Sequence, residues 1–301
     1  MKRPPSPHPD YAGLSPEAFA ALLAHTPYRV VGFLGAGRWG AVWAIEHGFL
    51  KKRFALKILH AHLAAFADRM RVEAETMGRL THPNVVHVVD FWVSSDGRPC
   101  IVMELLQGRT LGDELEERRR LPINEALAVT SQVLSALVAT HALGVVHRDL
   151  KPENVFLHVA RGYGLVVKVL DFGIARVLPS AHATGPTPAT LRTVTGTMVG
   201  SPQFMSPEAW SGATLDARAD VYSVGVMLYV MIAGRGPFDA GHSSPQPLSS
   251  FPEHGLSPEL DAIVGRAIRD DPGARYQTAT DFLAAIQPWL RASSTAPTGK
   301  R

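Results

Sequence analysis

The hydrophobic period of this chain changes once, near Gly108, and that change divides the sequence into two kinds of structure. Ahead of it the apolar residues come in short runs separated by turns. Residues 29–34, 41–46 and 54–59 read as strands. One helical pattern, 66–80, interrupts them. Beyond Gly108 the apolar residues recur at helical spacing over long stretches, most clearly 123–141 and 221–232, with a short-stranded passage at 155–170. The pattern predicts an α+β chain in which a small sheet-rich lobe precedes a larger helical one. The join falls at 104–108, and a cleft between lobes is where a small-molecule site is expected.

Composition narrows the function classes. The 301 residues suffice for two compact lobes, and 46% hydrophobic with 19% charged residues excludes disorder for the bulk of the chain. Thirty Lys and Arg against 27 Asp and Glu leave a net charge of +3, too small and dispersed for a nucleic-acid surface. The basic run 118–120 follows Glu114, Glu116 and Glu117 at helical spacing and reads as a solvated helix face with i,i+4 pairs. The apolar run 221–233 falls short of the roughly twenty residues of a membrane span and reads as a buried core helix. The apolar stretch 18–24 reads as part of a short soluble helix rather than a signal peptide, because prolines, Asp10 and Glu17 precede it and Ser15, Pro16 and Glu17 suit a helix start. One cysteine, Cys100, excludes an internal disulfide, points to a reducing, cytoplasmic setting and reads as a small buried hydrophobe. A Pro-rich extension, 1–27, and a polar tail, 291–301, are expected to flank the folded body.

Gly35-Ala-Gly37-Arg-Trp-Gly40-Ala-Val42 fits G-x-G-x-x-G-x-V. A dinucleotide site needs a helix after the glycines and an acid about twenty residues on. Here a strand follows, and position 55 is Ala. What remains is a bare structural hairpin or a strand-turn-strand flap whose glycines let backbone N–H groups approach phosphates. Lys57 closes an otherwise apolar strand segment, where solvent is the ordinary destination of a lysine. In the helix that follows, Met70, Met77 and Leu80 share a face with Glu73. A carboxylate on a buried face is costly unless paired, and Lys57 is the natural partner. Glu75 is rotated off that face and reads as solvated.

His147-Arg-Asp-Leu-Lys-Pro-Glu-Asn154 follows the long apolar helix, and Asp171-Phe-Gly173 ends the strand-like run 166–170. Asp149, Asn154 and Asp171 offer hard oxygen donors in two loops at strand ends, which suits Mg²⁺-assisted phosphate chemistry. Either motif alone could be turn chemistry. Both occur in order behind the glycine loop and Lys57.

In this ordered set the chain resembles the eukaryotic-type (Hanks) serine/threonine protein kinases, in particular those of bacteria, from about residue 28 to 290, with Ser206-Pro-Glu208 and Asp220-Val-Tyr-Ser-Val-Gly225 as further matching motifs. The resemblance implies a bilobal protein kinase fold. A small antiparallel sheet with one regulatory helix forms the N-lobe (about 28–103), followed by a hinge (104–108) and a mainly helical C-lobe (109–290). It implies an ATP-dependent enzyme that uses Mg²⁺, with Mn²⁺ as an alternative, to phosphorylate Ser or Thr of protein substrates in signalling; the dispersed charge and the short apolar runs lead to the separate expectation of no nucleic-acid and no membrane partner. Gly35, Gly37 and Gly40 would cover the phosphates, with Trp39 at the tip of the flap. Lys57 would hold the α and β phosphates, fixed by Glu73. Asp149 would act on the substrate hydroxyl proton with Lys151 beside it, while Asn154 and Asp171 hold the metal. His147 would pack rather than react. Leu34, Val42, Ala55 and Phe156 would line the adenine slot, with Met103 as gatekeeper and the backbone of Glu104 and Leu106 as hinge.

Lys151 matches the Ser/Thr-specific form of the loop, and Gly200-Ser201 keeps a hydroxyl where Gly-Thr is more usual. Arg148 and Arg176 would face the segment 174–205, where a phosphate on Thr193, Thr195 or Thr197, Thr195 first among them, would bind both guanidiniums. Activation by autophosphorylation, through self-association, is therefore expected. Glu208 and Arg275 would form a buried ion pair, and Asp220 would tie the core helix to the catalytic loop. Residues 238–257 are rich in Pro, Gly and Ser where kinases carry a partner-docking helix. A kinase-like scaffold without transfer activity is the alternative, and Lys57, Asp149 and Asp171, all present, argue against it. A small-molecule phosphotransferase would lack the long segment 174–205 and the Ser-Pro-Glu motif.

Overall fold

A computed structural model of the chain describes residues 21–37, 39–160, 162, 164–172, 201–238, 245–251 and 256–294. They form two compact units, one of the described residues up to His82 with Val86–Gln107, the other of Pro83–Val85 and the described residues from Gly108 onward. Apart from Pro83–Val85, the units thus divide where the hydrophobic period changes. Pro83–Val85 belongs to the second unit because Val85 bridges Val169 and the Asn84 amide donates to the Val167 carbonyl at 2.9 Å.

The first unit is an antiparallel sheet in the order β1 (Tyr28–Gly37), β2 (Gly40–His47), β3 (Arg53–Leu59), β5 (Pro99–Glu104), β4 (Val88–Val93). The helix α1 (Ala67–Gly78) lies against β4 and β5, with Met70 and Met77 buried as their shared face requires. Because side chains alternate across a strand, Phe54, Leu56 and Ile58 of β3 point to the opposite face from Ala55, Lys57 and Leu59.

That opposite face corrects one expectation. Residues 21–27 do not merely flank the fold: Leu22 and Leu23 are 6% and 7% exposed and share one apolar cluster with Leu56, Ile58, Cys100 and Val102. The Thr26 N–H and hydroxyl both donate to the Leu23 carbonyl, at 2.9 and 2.8 Å, and the Gly48 N–H donates to the Pro27 carbonyl at 2.7 Å. The two leucines add apolar cover to this sheet face, together with Tyr28, Val30, Trp43 and Trp92 packed against the same cluster.

The second unit begins with a small sheet of β6 (Gly108–Thr110), β7 (Val155–Ala160) and β8 (Gly164–Val169). Thr110 and Asp113 form a reciprocal cap at the start of α2 (Leu111–Arg118). The basic run is corrected here: only Arg118 is helical, pairing with Glu114 at 3.0 Å and Glu125 at 2.6 Å, while Arg119 turns out of the helix with φ 66°. The helix α3 (Ile123–His141) coincides with the expected span. By length and composition it could cross a membrane, but it buries Leu127, Val133, Leu134 and Leu137 in this unit, as a core helix does. After α4 (Pro207–Trp210), the helix α5 (Ala217–Ala233) is buried almost all round and packs against α3. It also packs against α6 (Pro258–Ala267), where a Cβ on Gly225 would stand 2.7 Å from the Ala267 Cβ, so the close approach requires glycine. The last helix, α7 (Ala279–Ser294), runs past the expected boundary at 290 and packs on α3. Within 238–257 no α-helix occurs among the described residues. Instead a turn at Leu248–Ser250 docks on α6, the Asp261 carboxylate accepting the Leu248 and Ser249 N–H groups at 2.8 and 3.3 Å.

Candidate active site

In the first unit the sheet register gathers the expected residues. Gly35 pairs with Val42, Val42 with Lys57, and Ala55 with Met103, so Val42, Ala55, Lys57 and Met103 share one face. Lys57 is 6% exposed and stands inside β3, which continues through Leu59, so it neither ends the strand nor points to solvent. Glu73 is half-buried on α1, on the side of Met70 and Met77, while exposed Glu75 pairs with Arg71 at 2.6 Å. Leu34 sits in the irregularity between the Phe33–Trp43 and Gly35–Val42 pairs, half-exposed, where a bulge re-aims a side chain. The Glu104 N–H donates to the His87 carbonyl at 3.0 Å, which confines its expected hinge role to the carbonyl; Leu106 follows β5.

The three glycines are not equivalent. A Cβ on Gly40 would come 2.1 Å from the Ile58 carbonyl oxygen and 2.8 Å from the Leu59 Cα, whereas Gly35 and Gly37 have no heavy atom within 4 Å of that position. Gly40 is therefore demanded by the closeness of β2 to β3, and only Gly35 and Gly37 leave open room above the hairpin. Gly40→Ala is expected to lower stability by about 1–3 kcal/mol through overpacking. Gly35→Ala should leave the thermal midpoint unchanged and act on nucleotide affinity alone; denaturation curves of the two variants check this.

In the second unit Asp220 organises the loop that starts at His147. Its carboxylate, fully buried in the first turn of α5, accepts the backbone N–H groups of His147 and Arg148 at 2.8 and 2.9 Å and lies 2.8 Å from His141 Nε2. Arg148 is held at φ 68°, a conformation costing a non-glycine residue about 1–3 kcal/mol. His147 is fully buried, with Nε2 2.8 Å from the Leu170 carbonyl and its ring edge-on to Phe172 at 4.8 Å, the packing role expected of it. Asp149 Oδ2 lies 2.9 Å from Lys151 Nζ. The Asn154 amide donates to the Asp149 carbonyl at 2.7 Å, so its own Oδ1 is turned elsewhere. The Leu170 N–H donates to the Asn154 carbonyl at 2.9 Å, and this ties down the next residue, Asp171, at φ 58°. Asp149, Lys151 and Asn154 are thus brought together, with Asp171 fastened to the same loop. Phe156 is half-buried on β7, opposite Thr110 and Lys168.

The donor set fits a hard divalent cation. Among the described residues no three His, Cys, Asp or Glu side chains form a closed cage. One amide oxygen from Asn154 and the carboxylate of Asp171 are what Mg²⁺ takes when phosphates and water complete its octahedron.

Glu208 and Arg275 meet as a bidentate pair, both contacts 2.7 Å, as expected. The partnerships of His141 and Phe172 were not anticipated: His141 reads only as a helix end and Phe172 only as a spacer between Asp171 and Gly173. Gly173, Arg176, Thr193, Thr195 and Thr197 lie outside the described residues.

The protein kinase domain family model matches residues 28–284. The chain is 41% identical over 276 residues to serine/threonine-protein kinase PksC of Streptomyces coelicolor, covering 85% of this chain and 48% of that protein. It is 37% identical over 276 residues to serine/threonine-protein kinase pkn3 of Myxococcus xanthus, covering 86% and 49%. With serine/threonine-protein kinase PknB of Mycobacterium leprae it shares 34% over 274 residues, covering 86% and 42%. The chain therefore spans about half the length, or less, of these curated relatives.

Proposed function

The chain belongs to the protein kinase family, and from that premise we propose that it transfers the γ-phosphate of ATP to serine or threonine hydroxyls of proteins. The observation that carries the reading is the Asp149 carboxylate, 2.9 Å from the Lys151 ammonium, in a loop whose backbone is clamped by buried Asp220. Phosphoryl transfer passes through a loose transition state, so the protein's work is positioning and charge stabilisation. Asp149 orients the acceptor hydroxyl and takes its proton as the new O–P bond forms and the bond from the γ-phosphorus to the β–γ bridging oxygen breaks, ADP leaving with that oxygen. Lys151 meets the negative charge on the transferring group. Asn154 and Asp171 would hold the divalent cation, Mg²⁺ by the hardness of their oxygens, with Mn²⁺ as substitute, and it would supply neutralisation of phosphate charge there. Lys57, steadied by Glu73, holds the α and β phosphates, with Gly35 and Gly37 over them. Val42, Ala55, Met103, Phe156 and Leu34 offer apolar contact to the base, and the Glu104 carbonyl and the Leu106 backbone offer hydrogen bonds.

Activation by autophosphorylation belongs to the same proposal. Arg148 Nε is buried with no hydrogen-bond acceptor among the described residues, beside the catalytic Asp149, which suits an anion arriving later. A phosphate on Thr195, or on Thr193 or Thr197, would supply it together with Arg176, one copy of the chain acting on another.

Incubation of the chain with radiolabelled ATP and Mg²⁺, alone and with a generic basic protein, followed by mass spectrometry, tests both parts. Label is expected on the chain itself within residues 193–197 and on Ser or Thr of the added protein. Nucleotide binding without transfer to any acceptor would favour the scaffold instead, and label on the chain only outside 193–197 would remove the regulatory part.

A further inference from the structure

We propose that Leu22 and Leu23, which precede the stretch matching the kinase family, are positioning residues for Lys57. The inference rests on the role given to Lys57 above. The family match begins at residue 28, so nothing in that match assigns these leucines a purpose.

Lys57 lies on β3 between Leu56 and Ile58, which point to the other face of the sheet and are both 0% exposed. The cluster that buries them contains Leu22 and Leu23. The same segment also holds the turn that joins β2 to β3: the Pro27 carbonyl accepts from the N–H of Gly48, the residue that follows β2. The strand carrying Lys57 is therefore backed by a cluster that residues 21–27 help to build, and the turn leading to it is tied to the same segment. A strand backbone is one object with two faces, so loosening the Leu56 and Ile58 side releases the Lys57 side. A buried ammonium that must meet phosphate oxygens tolerates only a fraction of an ångström of misplacement. Leu22 and Leu23 consequently act through β3 on nucleotide engagement, without touching nucleotide.

The chain carries its own reporter. Cys100 is the one cysteine, fully buried in the same cluster. Burial, with a smaller contribution from the Asp96 charge, pushes its thiol up to about 12. It is expected to resist alkylation while residues 21–27 are seated and to react faster when they leave.

The test uses the full chain with Leu22→Ala, Leu23→Ala and the double substitution, and reads two quantities: the rate of Cys100 alkylation and the steady-state constants for ATP. For the double variant, alkylation is expected to rise about tenfold or more. KM for ATP should rise about fivefold or more, while kcat at saturating ATP stays within about twofold. The single variants should show the same split at smaller size, so a poorly folding double variant leaves the outcome readable, and Leu23→Ile should restore both quantities. Faster alkylation with unchanged KM would make the leucines a structural cover only and overturn the proposal; so would unchanged alkylation. Lys57→Met separates the two layers: if that variant keeps the KM of the parent chain, the role of Lys57 fails, whatever the leucines do.

Discussion

Asp149→Asn is expected to lower kcat on a Ser or Thr acceptor by about 10²–10⁴-fold, the range a positioned general base contributes, with KM for ATP nearly unchanged. The geometry makes this a test of chemistry rather than of folding. The loop is held through backbone groups: Asp220 accepts the N–H groups of His147 and Arg148, and Asn154 bonds the Asp149 main-chain carbonyl at 2.7 Å, with the side-chain oxygen at a distant 3.5 Å. An asparagine of the same shape keeps all of these contacts. It cannot take a proton, and it gives Lys151 a dipole in place of a charge. Lys151 is partly exposed, so water compensates it and the thermal midpoint should move little. Steady-state kinetics with a melting curve decide the matter. A variant turning over within about tenfold of the parent chain would remove Asp149 from the reaction.

The sequence foretold some parts of this site and concealed others, for physical reasons. The helix 123–141 was legible because its apolar spacing runs unbroken to His141. The grouping of Asp149, Lys151 and Asn154 was legible because they stand in one compact motif, 147–154. The strands β4 and β5 were not distinguished: β4 is an edge strand carrying Asp90 and an irregular register at Val88–Asp90, so it lacks clean alternation. Gly40 looked like its neighbours in the motif because a sequence shows which residue is small, not which backbone approaches it. Leu22 and Leu23 were hidden by their Pro-rich surroundings, and only the assembled sheet reveals a face the two leucines help to cover. Asp220 could be assigned as a tie to the catalytic loop, but its partner His141, 79 residues away in sequence, follows from how α3 and α5 pack.

Glu208→Ala is expected to destabilise the second unit by about 3–5 kcal/mol, the cost of leaving a buried charge without its partner. Arg275 has no exposed surface, and each of its five N–H donors is used. Two go to Glu208 at 2.7 Å, and the others to the carbonyls of Arg269 at 2.6 Å, Asp270 at 2.9 Å and Arg218 at 3.1 Å, with the Tyr222 ring 4.8 Å from the guanidinium carbon. No lysine reproduces a planar fork with five donors, so Arg275→Lys should be nearly as damaging as Glu208→Ala. The acid limb of the stability profile gives a second reading. Burial raises the Glu208 carboxyl, but the Arg275 hydrogen bonds and charge outweigh it and hold the group below the ordinary glutamate value. A depressed folded pKa contributes stability that is complete above the unfolded value and is lost as pH falls through the folded one. The gap in melting temperature between the parent chain and Glu208→Ala should therefore be constant near neutrality and close progressively as the pH drops below about 4.3, the ordinary glutamate range. A gap that persists unchanged into strong acid would mean the variant is weakened by lost packing around α4, not by an orphaned guanidinium.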